Sequence, residues 1–179
     1  MIYFISDLHF GHSNIIRFDN RPFTTVEEMD NTLITNWNNT ITNDDLVYIL
    51  GDISWYNSQK TCEILKQLKG KKILIRGNHD KFTNDINYKK QFIEITDYKE
   101  IVVNNQLIIL SHYPIMFWKN QWRNVIHLYG HVHVTQDYDM LLDFIKTARK
   151  HGNPCKMYNV GCMMDYMNYT PKTLNEILK

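Results

Sequence analysis

Short apolar runs recur along the chain at residues 2–5, 46–50, 73–75, 101–103, 107–110 and 126–129, separated by polar stretches. Most are near-continuous rather than alternating, the pattern of strands buried on both faces. Between the first two runs, Val26, Met29, Leu33, Ile34 and Trp37 recur every three to four positions, which predicts an amphipathic helix. Thr25 with Glu28 three residues on reads as a capping box at its start. A second helix is expected over 58–69, with Cys62, Leu65 and Leu68 on one face and Gly70 as its stop. A third is expected over 138–150, with Leu141, Leu142, Ile145 and Ala148 inward and Gly152 beyond its end. Thr170-Pro171 reads as the N-cap and first position of a short terminal helix reaching Leu178. Strands alternating with helices predict a layered α/β fold.

Composition narrows the class. The 179 residues, 44% hydrophobic, suffice for one compact domain spanning 1–179. Twenty Lys and Arg against 19 Asp and Glu leave no basic excess of the kind that coats a polyanion. No apolar run approaches the roughly eighteen residues of a membrane span, and Asp7 interrupts the opening apolar segment, so a soluble, cytoplasmic protein without a membrane partner is expected. Cys62, Cys155 and Cys162 form neither a CxxC pair nor a disulfide-scaffold spacing, and read as buried small hydrophobes. No obligate protein partner is evident.

The chemistry gathers where the strands end. Five apolar runs lead into Ser6-Asp7-Leu8-His9, Gly51-Asp52, Gly77-Asn78-His79-Asp80, Ser111-His112 and Gly130-His131-Val132-His133. The carboxyl ends of strands are the ligand-binding edge of open α/β sheets. In extended chain, residues two apart point the same way, so Asp7 with His9, and His131 with His133, can each aim two ligands at one point. The pooled set of Asp7, His9, Asp52, Asn78, His112, His131 and His133 is oxygen and nitrogen without thiolate, which suits Mn, Fe or Zn in an open site. Seven groups exceed one tetrahedral ion and suffice for two ions sharing a carboxylate.

These motifs, DLH at 7–9, GD at 51–52, GNHD at 77–80, His112 and GHVH at 130–133, resemble in order those of the calcineurin-like metallophosphoesterase superfamily. The resemblance implies an α/β fold of two stacked mixed β-sheets flanked by helices. It implies that Asp7, His9 and His133 hold one divalent ion, that Asn78, His112 and His131 hold a second, and that Asp52 bridges them. It further implies that His79 is catalytic and that Asp80 orients it. The two ions are expected to be Mn, with Fe, Zn or Ni as alternatives. Such a pair lowers the pKa of a bridging water, and the resulting hydroxide attacks phosphorus in line while His79 serves the leaving group. The chain looks closest to small microbial or phage-type members without a cap, beginning ISDLHFGH. That favours a phosphodiesterase. A phosphomonoesterase, or a nuclease acting on single-stranded ends, is the enzymatic alternative, and a non-catalytic metal-binding scaffold or sensor is a distant one. The expected partner is a phosphoester, with a nucleotide or nucleic-acid end among the candidates.

The remaining polar and aromatic residues carry open readings. His127, inside an apolar run, reads as structural, and His151 as a helix-end residue. His12 either meets substrate phosphate or fixes its loop; Arg17 and Arg21, in the same region, either clamp a phosphate or serve the surface and the fold. Trp55, Tyr56, Tyr113, Phe117, Trp118 and Trp122 either stack a nucleobase or wall a small core. Met163, Met164 and Met167 read as packing. Residues 136–155 read equally as a lid, an interface or a packing helix.

Overall fold

The computed structural model describes residues 1–179. Two mixed sheets lie against each other with helices outside, the α/β sandwich that the resemblance implies. The chain runs β1 (Ile2–Ile5), α1 (Ser13–Phe18), α2 (Val26–Thr40), β2 (Leu46–Ile49), α3 (Ser58–Gln67), β3 (Lys71–Ile75), α4 (Ile86–Lys89) and β4 (Glu94–Thr96). It continues through β5 (Tyr98–Val103), β6 (Gln106–Ser111), a 3-10 turn at Gln121–Arg123, β7 (Ile126–Tyr129), α5 (Gln136–Lys150), β8 (Met157–Asn159), β9 (Lys172–Thr173) and α6 (Leu174–Ile177). The first sheet has the order β4-β3-β2-β1-β9, parallel except for β9; the second has the order β5-β6-β7-β8, parallel except for β5.

The continuous apolar runs are explained by burial on two sides. Ile108 and Leu110 of β6 join the main core with Phe4, Ile5, Val47 and Leu74 of the first sheet and with Met29, Leu33 and Trp37 of α2. Ile109, between them, faces the other way into a smaller cluster with Tyr129, Met157, Trp118 and the α5 residues Leu141 and Ile145. Each fully buried Leu or Ile contributes roughly 1.5–3 kcal/mol, so the central strands hold their register firmly. Met163, Met164 and Met167 pack in the main core, and all three cysteines are buried and free.

Several local expectations are corrected. Thr25 accepts from the Glu28 N–H, but the Glu28 carboxylate does not return to Thr25; it takes the Thr24 N–H at 2.8 Å and the Thr24 hydroxyl at 2.7 Å. The second helix is capped by Asn57 and ends at Gln67. In α5, Leu141 and Ile145 are buried but Leu142 faces solvent, because i and i+4 share a face and i+1 does not. That inner face makes α5 a packing helix on the second sheet. Thr170-Pro171 opens no helix. Lys172 and Thr173 pair antiparallel with β1, and α6 starts after Thr173, whose N–H and hydroxyl both donate to Glu176. The unforeseen elements α1, α4, β4, β8 and β9 are short. No helix is long and apolar enough to cross a membrane.

Candidate metal centre

The loops that follow β1, β2, β3, β6 and β7 meet at one edge of the sandwich. Their backbones are laced together before any side chain is considered: Asp7 N donates to Gly51 O at 3.1 Å, and His9 N to Asp52 O at 3.0 Å. Asp7, His9, Asp52 and His131 all have positive φ, between 51° and 70°, a conformation L-residues rarely adopt. Such strain concentrates at sites where the surroundings over-determine the backbone. Two glycines permit the closeness. A Cβ on Gly130 would lie 2.0 Å from Ser6 Oγ and 2.5 Å from Asp7 Oδ2, and one on Gly77 would lie 2.2 Å from Asp52 Oδ1.

Two triads have ligand atoms mutually within 4.8 Å: Asp7 with His9 and His133, and Asp7 with Asp52 and His112. Asp7 Oδ1 lies 3.9 Å from His9 Nε2 and 3.7 Å from His133 Nε2. Asp52 Oδ2 lies 3.7 Å from both His9 Nε2 and His112 Nε2, between the two groups. Asn78 Oδ1 lies 3.0 Å from His112 Nε2. The His131 ring stands beside them, its centroid 5.1 Å from that of His112, and the His131 main-chain N–H donates to the Asp7 carboxylate. Asp7 is thus common to both triads, in addition to the central position of Asp52.

The donor set fits cations because it is short of protons. His112 Nδ1 is 2.7 Å from Leu50 O and must donate there, so its Nε2 presents a lone pair towards Asn78 Oδ1, another acceptor. His133 Nδ1 is 2.8 and 2.9 Å from the two oxygens of Asp19 and donates to that carboxylate, which leaves its Nε2 lone pair 3.3 Å from His9 Nε2. Lone pairs and two buried carboxylates facing one another are mutually repulsive unless positive charge lies among them. The same crowding shifts the ionisable groups in both directions. Burial, and the charge of Asp7 after the pull of His112, hold the Asp52 carboxyl above its usual range. Burial and neighbouring His133 depress His9. Burial opposes protonation of His133, yet its hydrogen bond to Asp19 and the charge of Asp7 carry its pKa upward.

His79 stands at the rim. Its Nε2 is 3.9 Å from Asp52 Oδ2, and its ring lies 4.2 Å from Trp55. Asp80 does not orient it. The Asp80 carboxylate turns inward and accepts from the N–H groups of Asp52, Ile53 and Gly77 at 2.9, 3.1 and 2.8 Å, so it holds the Asp52 loop against the His79 loop. Burial pushes its pKa up to about 6 against those three donors.

Arg21 is not available to a ligand in the cleft. Its side chain is 0% exposed and spends its donors on Asp19 and on the carbonyls of Asp7 and Leu8. Arg17 is exposed and lies over Phe18. His12 stacks face to face on Trp55 at 4.1 Å, and its loop is tied to α2 by the Gly11 N–H donating to Asp30. The six aromatics divide. Trp55, 46% exposed, and Tyr113, 50% exposed, flank the site, the latter 4.4 Å from His131. Trp118 is core, Tyr56 packs on the core and donates to Asp30, and Phe117 and Trp122 are exposed, with Phe117 against Phe144. His127 is structural: Ile115 N donates to its Nε2 and its Nδ1 contacts Ile109 O. His151 caps α5 through its backbone, with the ring exposed. Asp19 and Asp30 escape sequence reasoning, since single carboxylates in polar segments carry no periodic or motif signal.

The sandwich and the ligand-rich edge together are those of the metal-dependent phosphoester hydrolase family that the chain matches. Residues 1–154 match the calcineurin-like phosphoesterase family, and the chain belongs to it. It is 39% identical over 180 residues to the protein MJ1445 of Methanocaldococcus jannaschii, an alignment covering 99% of this chain and 89% of the relative. It is 26% identical over 158 residues to the Gene 66 protein of Mycobacterium phage D29, covering 74% of this chain and 78% of the relative. Among solved structures, the protein AQ665 from Aquifex aeolicus has the same fold, with a TM-score of 0.72 at 30% identity over 99% of this chain and 97% of that one.

Proposed function

We propose that the protein is a phosphodiesterase using two divalent cations, Mn in the first instance, with Asp7, His9 and His133 as ligands to one and Asn78, His112 and His131 to the other. Asp52 serves both, and the closeness of Asp7 to both groups supports its sharing in the second position as well. When bound, such a pair activates water and neutralises charge on the phosphoryl oxygens. The chain's own residues do the rest. His79 holds a proton at the departing oxygen, the rim position and its distance to Asp52 supporting that role. Asp80 fixes the spacing of the two loops rather than the ring. His12 and Trp55 form a wall beside His79 that limits where the leaving alcohol can sit.

The observation that favours a diester is the engagement of Arg21. The arginine nearest the ligands points its whole fork inward, so no buried guanidinium faces the cleft to take the second charge of a monoester dianion. A nucleotide, or a single-stranded nucleic-acid end, is the substrate type favoured by the exposed Trp55 and Tyr113, with Lys81 over Trp55. The test is hydrolysis of bis-p-nitrophenyl phosphate against p-nitrophenyl phosphate by chelator-stripped protein reloaded with Mn²⁺. Metal-dependent turnover of the diester in preference is expected. Cleavage of the monoester alone reverses the substrate class and leaves the site assignment standing.

A further inference from the structure

We infer that Asp19, clamped by Arg21, is a positioning residue that fixes the tautomer of His133 and the distance between the first and last ligands of the site. This rests on the proposed reading of His133 as a ligand. An ionised carboxylate has no proton to give, so the contacts of 2.8 and 2.9 Å from its two oxygens require the proton on His133 Nδ1. In the neutral ring Nε2 is then left as a lone pair, 3.7 Å from Asp7 Oδ1 and available to a cation that displaces any proton there. Ligating histidines are commonly held in this way by an outer carboxylate, and loss of such a partner typically costs about 10–100-fold in metal affinity.

Arg21 extends the same device to the other sheet. Its Nε and Nη2 meet Asp19 Oδ2 at 3.0 and 2.9 Å, its Nη2 also reaches Asp7 O at 2.9 Å, and its Nη1 reaches Leu8 O at 3.1 Å. The Asp7 loop follows β1 of the first sheet, and His133 follows β7 of the second. One ion pair, with side chains 0% and 1% exposed, therefore ties a ligand loop from each sheet together. A pair so deeply buried is a poor stabiliser, because desolvation offsets its attraction, and apolar side chains would fill the space as well. Its hydrogen bonds go instead to the ligand His133 and to the carbonyls of the ligand loop.

The test uses Asp19→Ala and Asp19→Asn in the full chain. Long-range ¹H–¹⁵N correlation of the histidine rings in metal-free protein reads the tautomer, and calorimetric titration with Mn²⁺ reads each site. At a pH where the ring is neutral, the wild type is expected to show His133 protonated at Nδ1. The variants are expected to lose that preference and to bind one of two ions about 10–100-fold more weakly, with the other unchanged. A merely structural role would lower the unfolding temperature without moving the tautomer or singling out one site. Unchanged tautomer and unchanged affinities overturn the inference. If Asp19→Ala does not fold, the isosteric Asp19→Asn decides it. A wild type that binds no ion overturns the proposed function, and the tautomer measurement then judges the positioning role alone.

Discussion

His79 is anchored to Asp52 by its main chain and not by its ring: the His79 N–H donates to Asp52 Oδ1 at 2.9 Å, while Nε2 stands 3.9 Å from Asp52 Oδ2. The backbone bond places the residue at the ligands, and the ring remains free to face a reacting group. Replacing the ring with a methyl group therefore preserves the loop.

His79→Ala is expected to lower kcat about 10²–10⁴-fold with metal content intact. The loss should grow as the leaving alcohol becomes more basic, since a poor leaving group depends more on the proton. Rates for a series of aryl and alkyl diesters, with metal analysis of each sample, check it. A uniform loss across the series would assign His79 to ground-state binding.

Gly130→Ala places a methyl group on Ser6 Oγ and Asp7 Oδ2, at 2.0 and 2.5 Å, and neither neighbour has room to withdraw. Ser6 is bound to Leu50 O, and Asp7 is fully buried. At least a tenfold weaker Mn²⁺ affinity is expected, in the range that misplaced ligands typically cost. Calorimetric titration of the folded variant measures it.

How much of this was legible in the sequence varies with the kind of signal. The strand runs at 2–5 and 126–129 coincide with β1 and β7 because burial on both faces keeps them apolar, His127 being the one polar member and fully hydrogen-bonded. The motif residues were legible because glycine, aspartate and histidine at strand ends have few structural uses together. The strands β8 and β9 were not, being two or three residues long and defined by their neighbours. Asp80 stood in the right place with the wrong expected orientation, and Arg21 took the structural one of its two open readings. Sequence locates a charged residue near a site, but its hydrogen-bond partners depend on which backbone donors and acceptors the fold leaves beside it, here the carbonyls of Asp7 and Leu8 and the N–H groups of Asp52, Ile53 and Gly77.

His127 predicts an acid-sensitive core. Burial brings its pKa down to about 4 from 6.5. The unfolded chain therefore takes up a proton as pH falls through 6.5, while the folded one does not until about 4. Stability contributed by the neutral ring is complete above that window and declines through it, by about 3 kcal/mol in total at 1.36 kcal/mol per unit. Urea unfolding of metal-free protein at several pH values should show a shallower decline for His127→Gln than for the wild type. An equal slope in both would remove His127 from the account.

Trp55→Leu removes the ring that stacks on His12 at 4.1 Å and packs beside His79 at 4.2 Å. Metal content should stay the same while kcat falls about tenfold, the cost of losing orientation at the leaving group. Steady-state kinetics on an aryl diester read the effect. A change in KM alone would make Trp55 a substrate contact without influence on His79.

The most direct test of the central claim is the stoichiometry at which activity appears. Chelator-stripped protein is titrated with Mn²⁺ while bound metal and diester hydrolysis are followed in the same samples. The account predicts binding of two ions per chain, with turnover rising mainly as the second is taken up, and loss of that second phase in His112→Ala. Full diester turnover with one ion bound, or turnover in the presence of excess chelator, would contradict it.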